Sequence, residues 1–103
     1  MKLSLGYITT PTKAEAQKIV LELLEDGLIV CANIVPGAES YFVWEEQIQK
    51  AAEVIIFFKT KTENEDKIIK IVKKMHSYDC PCIVFHSLDY GNKDFLNWVN
   101  ESC

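Results

Sequence analysis

The order in which the hydrophobic pattern changes period limits this chain more than any other feature. Leu3 to Ile8 alternate, with Leu3, Leu5 and Tyr7 on one side, which is the two-residue period of a strand. Ala16, Ile19, Val20, Leu23 and Leu24 then recur at helical spacing. Thr12 and Glu15 precede that run with capping-box spacing, and Gly27 follows it as a natural stop. Leu28 to Val35 reads as a second strand, interrupted at Pro36-Gly37 and resumed from Ser40 to Trp44. Glu45-Glu46 turns the chain, and Ile48 to Thr60 returns. Thr62 and Glu65 repeat the capping-box spacing before a second helix that buries Ile68, Ile69, Val72 and Met75. Ile83-Val84-Phe85 reads as a short fourth strand, and Asn92 can cap a last short helix with Phe95, Trp98 and Val99 on its apolar side.

The resulting order is β-α-β-β-α-β with a C-terminal helix. Right-handed crossovers put both main helices on one face of a four-stranded sheet. The expected fold is therefore α+β, a ferredoxin-like split β-α-β two-layer sandwich with a long central hairpin. A chain of 103 residues has room for one domain, residues 1–103, and no second.

Two mismatches point beyond a single copy. Strands covered on one face should alternate apolar and polar, yet Leu28-Ile29-Val30 and Val54 to Phe58 do not. Three helices are too few to cover both faces, so another copy of the chain is the simplest cover. A C-terminal helix folded across part of the second face is the competing explanation. The second mismatch is length. Leu28 to Trp44 would span about 55 Å if extended, against a diameter of roughly 33 Å for a compact domain of this size. Either Pro36-Gly37 bends the strand or the hairpin projects. A projecting hairpin that carries Tyr41, Phe42, Val43 and Trp44 is expected to lie on a neighbouring subunit. Tip and receptor are different surfaces, so the contact is heterologous and closes into a ring.

Composition excludes several classes. Apolar residues make up 49% and charged residues 25%, a globular balance and not that of a disordered or fibrous chain. No apolar run approaches the roughly 20 residues of a membrane span, and no secretory signal stands at Met1, so a cytoplasmic protein without a membrane partner is expected. A net charge of −4 argues against nucleic acid, and Lys61, Lys67, Lys70, Lys73 and Lys74 read as the wet face of a helix. Four cysteines are more readily thiols or metal ligands than disulfides in that compartment.

The stretch His76-Ser77-Tyr78-Asp79-Cys80-Pro81-Cys82, followed by His86, concentrates soft ligands. Thiolate and imidazole suit copper and zinc, and alternate residues of an extended segment point to one side, so Cys80 and Cys82 could face one ion. A buried histidine satisfied by backbone, beside small apolar thiols, fits the same spacing. Cys31 reads as core packing and Cys103 as an exposed terminus. Hydrolase and phosphate-loop signatures are absent, and no enzyme is expected. Glu39, Glu45 and Glu46 read as a solvated hairpin tip, and Lys59, ending an apolar strand, must snorkel or pair.

Cys31-Ala32-Asn33-Ile34 with Pro36-Gly37, Ser40-Tyr41, Trp44-Glu45, Glu53, Lys59-Thr60, His76, Tyr78, Pro81, Gly91-Asn92 and Trp98 stand in an order and spacing that resembles the CutA divalent-cation tolerance family, from about Tyr7 to Trp98. The resemblance implies a homotrimer of ferredoxin-like subunits, a part in tolerance of copper and other divalent cations, and metal-associated positions at His76 and the residue after Pro81. It implies no organic cofactor. This chain departs from the family at Cys82, where Glu is usual, at Glu46, where Gly is usual, at Ser77, where Pro is frequent, and at Ile8, where some copper-binding members carry Cys. Cys82 would soften the site toward Cu(I) or zinc, and Glu46 would impose a different turn at the tip.

Two functions follow as expectations. In the first, a homotrimer binds copper or a similar transition metal through His76, Cys82 and Cys80. In the second, a trimeric signalling or scaffold module binds a small ligand in inter-subunit clefts lined by Tyr41, Trp44, Lys59, His76 and Tyr78. An enzyme using Glu45 or Glu53 with Lys59 is the third and weakest reading.

Overall fold

In the computed structural model, which describes Met1–Cys103, the chain runs through β1 (Leu3–Thr10), α1 (Lys13–Glu25), β2 (Cys31–Trp44), β3 (Gln47–Lys61), a 3-10 turn at Thr62–Asn64, α2 (Glu65–Met75), β4 (Ile83–Ser87) and α3 (Lys93–Ser102). The strands form one sheet of order β2-β3-β1-β4 in which every neighbouring pair is antiparallel. This is the split β-α-β order expected from the sequence, with β3 inserted between β1 and β2.

Helix α1 begins and ends as its sequence dictates, with one exception. Thr12 is extended, and its Oγ1 accepts the Glu15 N–H at 3.2 Å, a cap that stabilises by about 1 kcal/mol. The Glu15 carboxylate does not complete the box; it accepts the Ser77 N–H at 3.0 Å instead. Gly27, at φ +69°, ends the helix, with Gly27 N–H donating to Leu24 O and Leu28 N–H to Leu23 O. The capping box expected at Thr62 does not form. Thr62 Oγ1 lies 2.8 Å from Ser4 Oγ, Ser4 Oγ donates to Glu65 Oε2 at 2.5 Å, and α2 starts at Glu65 with no side-chain cap. Ser4 is fully buried on β1, and an unpaired buried hydroxyl costs about 1–3 kcal/mol, more than an exposed cap returns.

Both α1 and α2 pack on one face of the sheet. Ile8, Ile19, Leu23, Ile56, Phe58, Ile68 and Val72 are all fully buried there in one cluster. Gly6 is required by this packing. A Cβ at that position would lie 2.0 Å from Phe58 Cζ, because the ring lies across the β1 backbone. Leu28 and Ile29 join the same cluster, so Leu28-Ile29-Val30 is not a two-sided strand as read from the sequence. It is a connection that drops two side chains under α1 before β2 opens at Cys31.

The second face is covered at one end only. Leu3, of opposite parity to the Ser4, Gly6 and Ile8 row, packs with Leu96 and Val99 of α3, and Val30, Leu88 and Phe95 surround them. Leu96, not Trp98, is the buried partner of Val99; Trp98 stays 45% exposed beside Phe95, ring centroids 5.6 Å apart. Beyond α3, Leu5, Tyr7, Ile55 and Phe57 are half-buried and Val84 is exposed.

The β2–β3 hairpin extends past the helices, giving the molecule dimensions of 44 × 26 × 23 Å. Val35 pairs with Ile55 but Ala38 with Glu53, so one extra residue is inserted at Pro36-Gly37, where Gly37 takes φ +87°. The bulge kinks the ladder without ending the strand. Every residue from Tyr41 to Lys50 is exposed. Trp44 pairs with Gln47, leaving Glu45 and Glu46 as a two-residue turn at φ 50° and 65°. Both residues thus take the left-handed conformation of a tight hairpin turn, where side chains cost about 1–2 kcal/mol per residue. No helix is long and apolar enough to cross a membrane.

Candidate functional site

The bulge decides what the hairpin shows. Before it, odd-numbered residues of β2 face odd-numbered residues of β3; after it, Ala38, Ser40, Phe42 and Trp44 face Glu53, Ala51, Gln49 and Gln47. One inserted residue thus brings Ser40, Phe42 and Trp44 to the side of the sheet that carries Tyr7 and Thr9. Opposite them runs the segment between α2 and β4. Together they enclose a cleft of about 670 Å³, with Tyr7, Thr9, Glu53 and Ala51 as its floor. Ser40, Tyr41, Phe42 and Trp44 form one wall, and Ser77, Tyr78, Asp79, Cys80 and Cys82 the other.

His76 holds that second wall in place. Its side chain is completely buried, and Nε2 lies 2.7 Å from Thr9 O. Nδ1 accepts the Tyr78 N–H at 3.1 Å, which leaves Nε2–H as the donor to Thr9 O. Glu15 Oε2 stands 3.3 Å from Nδ1 while accepting the Ser77 N–H. Both nitrogens of the ring are thus used within the protomer. That is the arrangement of a buried histidine satisfied by backbone, and His76 is set behind the wall that carries Cys80 and Cys82.

Tyr78 closes the cleft at its base by donating to Glu53 Oε2 at 2.9 Å. Desolvation, then the hydrogen bond and negative charge of Glu53, push the phenol up to about 12. Cys82 feels the same carboxylate. Its residue is open to solvent, yet surrounding protein raises its thiol above the ordinary value, and Glu53 and Cys80 raise it further. A soft ion bound there would have to displace that proton.

The structure brings together five of the residues singled out from sequence: Tyr41, Trp44, Tyr78, Cys80 and Cys82. It leaves two out. His76 lies behind the wall, and Lys59 sits on the open sheet face, where Nζ donates to Asn33 Oδ1 at 3.1 Å. Lys59 also stands six residues from Glu53 on β3, about 20 Å along the strand, so the two do not meet within one protomer. Tyr7, Thr9, Ser40 and Phe42 also line the cleft and were not among the site residues read from the sequence. The alternation of β1 carried a signal for Tyr7 and Thr9, but Ser40 and Phe42 depend on the bulge. Nowhere do three or more His, Cys, Asp or Glu side chains converge to hold a metal ion. Cys80, Cys82 and Glu53 line the cleft without forming such a cluster. Cys31 and Cys103 are half-buried away from the cleft.

Comparison with known proteins agrees with this architecture. The family model of the CutA1 divalent ion tolerance protein matches residues 4–102. The divalent-cation tolerance protein CutA of Archaeoglobus fulgidus is 42% identical over 96 residues, 93% of each chain. A structure of the periplasmic divalent cation tolerance protein CutA from that organism superposes with a TM-score of 0.92 at 40% identity, covering 97% of both chains. CutA1 from Oryza sativa gives a TM-score of 0.94 at 31% identity, covering 99% of this chain and 94% of its own. On sequence and fold together, the chain belongs to the CutA1 divalent ion tolerance family.

Proposed function

We propose that this protein serves divalent-metal tolerance in the cytoplasm as a homotrimer that binds a soft transition metal ion, copper above all, through Cys80 and Cys82, with no organic cofactor and no catalytic turnover. The observation that carries this reading is the presence of both thiols on one wall of the cleft beside Glu53. Two thiolates suffice for a low-coordinate soft ion such as Cu(I), and thiolate selects such ions over hard ones. His76 acts indirectly, holding the wall through Thr9 O and the Tyr78 N–H. Assembly is supported by the half-covered sheet face around Leu5, Tyr7, Ile55 and Phe57 and by the exposed hairpin aromatics. The cytoplasm is supported by four free thiols, two of them open to solvent. Recovery of the protein with periplasmic markers on cell fractionation would move it to the compartment named for the Archaeoglobus fulgidus structure.

The test is calorimetric titration with Cu(I) and with Zn(II) on the reduced native protein, on Cys80→Ser with Cys82→Ser, and on His76→Ala. Loss of both thiols should weaken Cu(I) binding tenfold or more, by analogy with the 10–100-fold cost of losing even a supporting group. His76→Ala should lower stability more than affinity. Equal Cu(I) affinity in the native and double-serine proteins would sink the reading.

A second reading is favoured by the other wall. A cleft of about 670 Å³ flanked by Tyr41, Phe42, Trp44 and Tyr7 falls in the size range of small-molecule sites. There the protein would be a signalling or scaffold module that takes a small ligand between subunits, and its metal response would be indirect. Cu(I) affinity unchanged by thiol loss would favour it.

A further inference from the structure

The Cys80-Pro81-Cys82 segment carries a chemistry that metal binding does not exhaust. Its two thiols are both exposed and unpaired, while Cys31 and Cys103 are half-buried elsewhere. The segment lies between α2 and β4, outside any helix or strand, so no ladder hydrogen bonds hold its backbone apart. We propose that Cys80 and Cys82 form a reversible disulfide by exchange with a low-molecular-weight disulfide, and that this dithiol is a redox-modification site on the cleft wall.

Geometry sets the character of the bond. Residues two apart in an extended chain lie about 6.6 Å apart, at the upper edge of the roughly 4.4–6.8 Å that a disulfide spans between Cα atoms. Pro81, between the two cysteines, restricts how the segment can close. A bond made under that constraint is readily reduced, as switches are and structural staples are not.

The exchange balances in two steps. One cysteine thiolate attacks a sulfur of the small disulfide, forming a mixed disulfide and expelling one small thiolate. The second cysteine thiolate then attacks the protein sulfur of that mixed disulfide, closing the Cys80–Cys82 bond and expelling the second small thiolate. The protein loses two protons and two electrons, and the small disulfide leaves as two thiols. The consequence rests on the metal reading above: an oxidised pair has no thiolate to offer a soft ion, so loading would follow the thiol poise of the compartment.

The experiment exposes the full-length protein, reduced and free of metal, to mixtures of oxidised and reduced glutathione. Remaining thiols are then alkylated under denaturing conditions and assigned by peptide mass. Expected is loss of two of the four thiols, both in the peptide containing Cys80 and Cys82, with Cys31 and Cys103 still alkylated. The bond should reopen with reduced glutathione alone. Cys80→Ser should instead retain glutathione on Cys82, because the second displacement has no attacking thiol. Four alkylated thiols, a stable glutathione adduct on the native protein, or a cross-link between chains would overturn the proposal. The thiol count needs no metal, so it stands or falls apart from the metal reading. Cu(I) titration of the two redox forms then measures the consequence, a tenfold or greater weakening on oxidation. Should the pair oxidise while the reduced protein binds no Cu(I), the redox site survives and the metal reading fails.

Discussion

The β2–β3 hairpin is two structures on one pair of strands. In its proximal half, Val54, Ile56, Phe58 and Thr60 alternate into a core sealed by α1 and α2. In its distal half, Tyr41 to Lys50 are exposed without exception, although Tyr41, Phe42, Val43, Trp44 and Ile48 are as apolar as anything in the core. The ladder is unbroken through both halves apart from one bulge. Apolar sequence and strand pairing are thus shared, and only cover differs. The proximal half is stabilised by its own chain. The distal half has a hydrogen-bonded backbone and a few surface contacts, such as Tyr41 Oη donating to Glu39 Oε1 at 3.0 Å, which are worth little in water. Its large side chains are left without cover in the protomer.

Substitutions in the two halves should therefore report on different equilibria. Phe58→Ala should cost about 3–5 kcal/mol of protomer stability in urea, the cost of an emptied core site. Gly6→Ala should cost about 1–3 kcal/mol at the same place by overpacking, because its Cβ would meet the Phe58 ring. Trp44→Asp, in the distal half, should leave the far-ultraviolet circular dichroism of the protomer unchanged yet shift sedimentation to a smaller species, by placing an unpaired charge in an apolar contact. An unchanged sedimentation profile would erase the distinction drawn between the halves. Glu46→Gly should stabilise by about 1 kcal/mol in thermal unfolding, since glycine relieves the left-handed backbone at φ 65°.

The smallest effect sharpens the junction of the halves, where Tyr78 meets Glu53. Folding raises the phenol from an ordinary value near 10 to about 12, so the folded state holds its proton more tightly. That contribution is complete below pH about 10 and is lost as pH rises through about 12. Spectrophotometric titration should show a tyrosine ionising near 12, and Tyr78→Phe should remove it. Phenol titration at the ordinary value would mean that the Tyr78–Glu53 bond does not persist in solution.

Much of the fold was legible because period is local. Alternation in β1, helical spacing in α1 and the Thr12 cap each depend on residues a few positions apart, and each is present. Where the reading failed, a distant group intervened. Thr62 and Glu65 have capping-box spacing, but Ser4, some sixty residues away in sequence, takes both. Leu28 and Ile29 look like a strand but serve the core beneath α1. The cleft was half legible. Cys80, Cys82 and Tyr78 stood out by chemistry and Tyr41 and Trp44 by apolarity, whereas the placing of His76 behind the wall depends on Thr9 O and Tyr78 N–H, bonds that no spacing rule contains.

The amino-acid order by itself determined the succession of strands and helices, the two-layer sandwich and the excess of apolar surface, because periodicity and burial are set by neighbours along the chain. Only the tertiary structure decided which side of the hairpin faces the cleft, since one residue inserted at Pro36-Gly37 exchanges the two sides beyond it. It also decided that His76 supports the wall while the Cys80–Cys82 pair lines it, because hydrogen bonds to buried backbone groups leave that ring no free nitrogen.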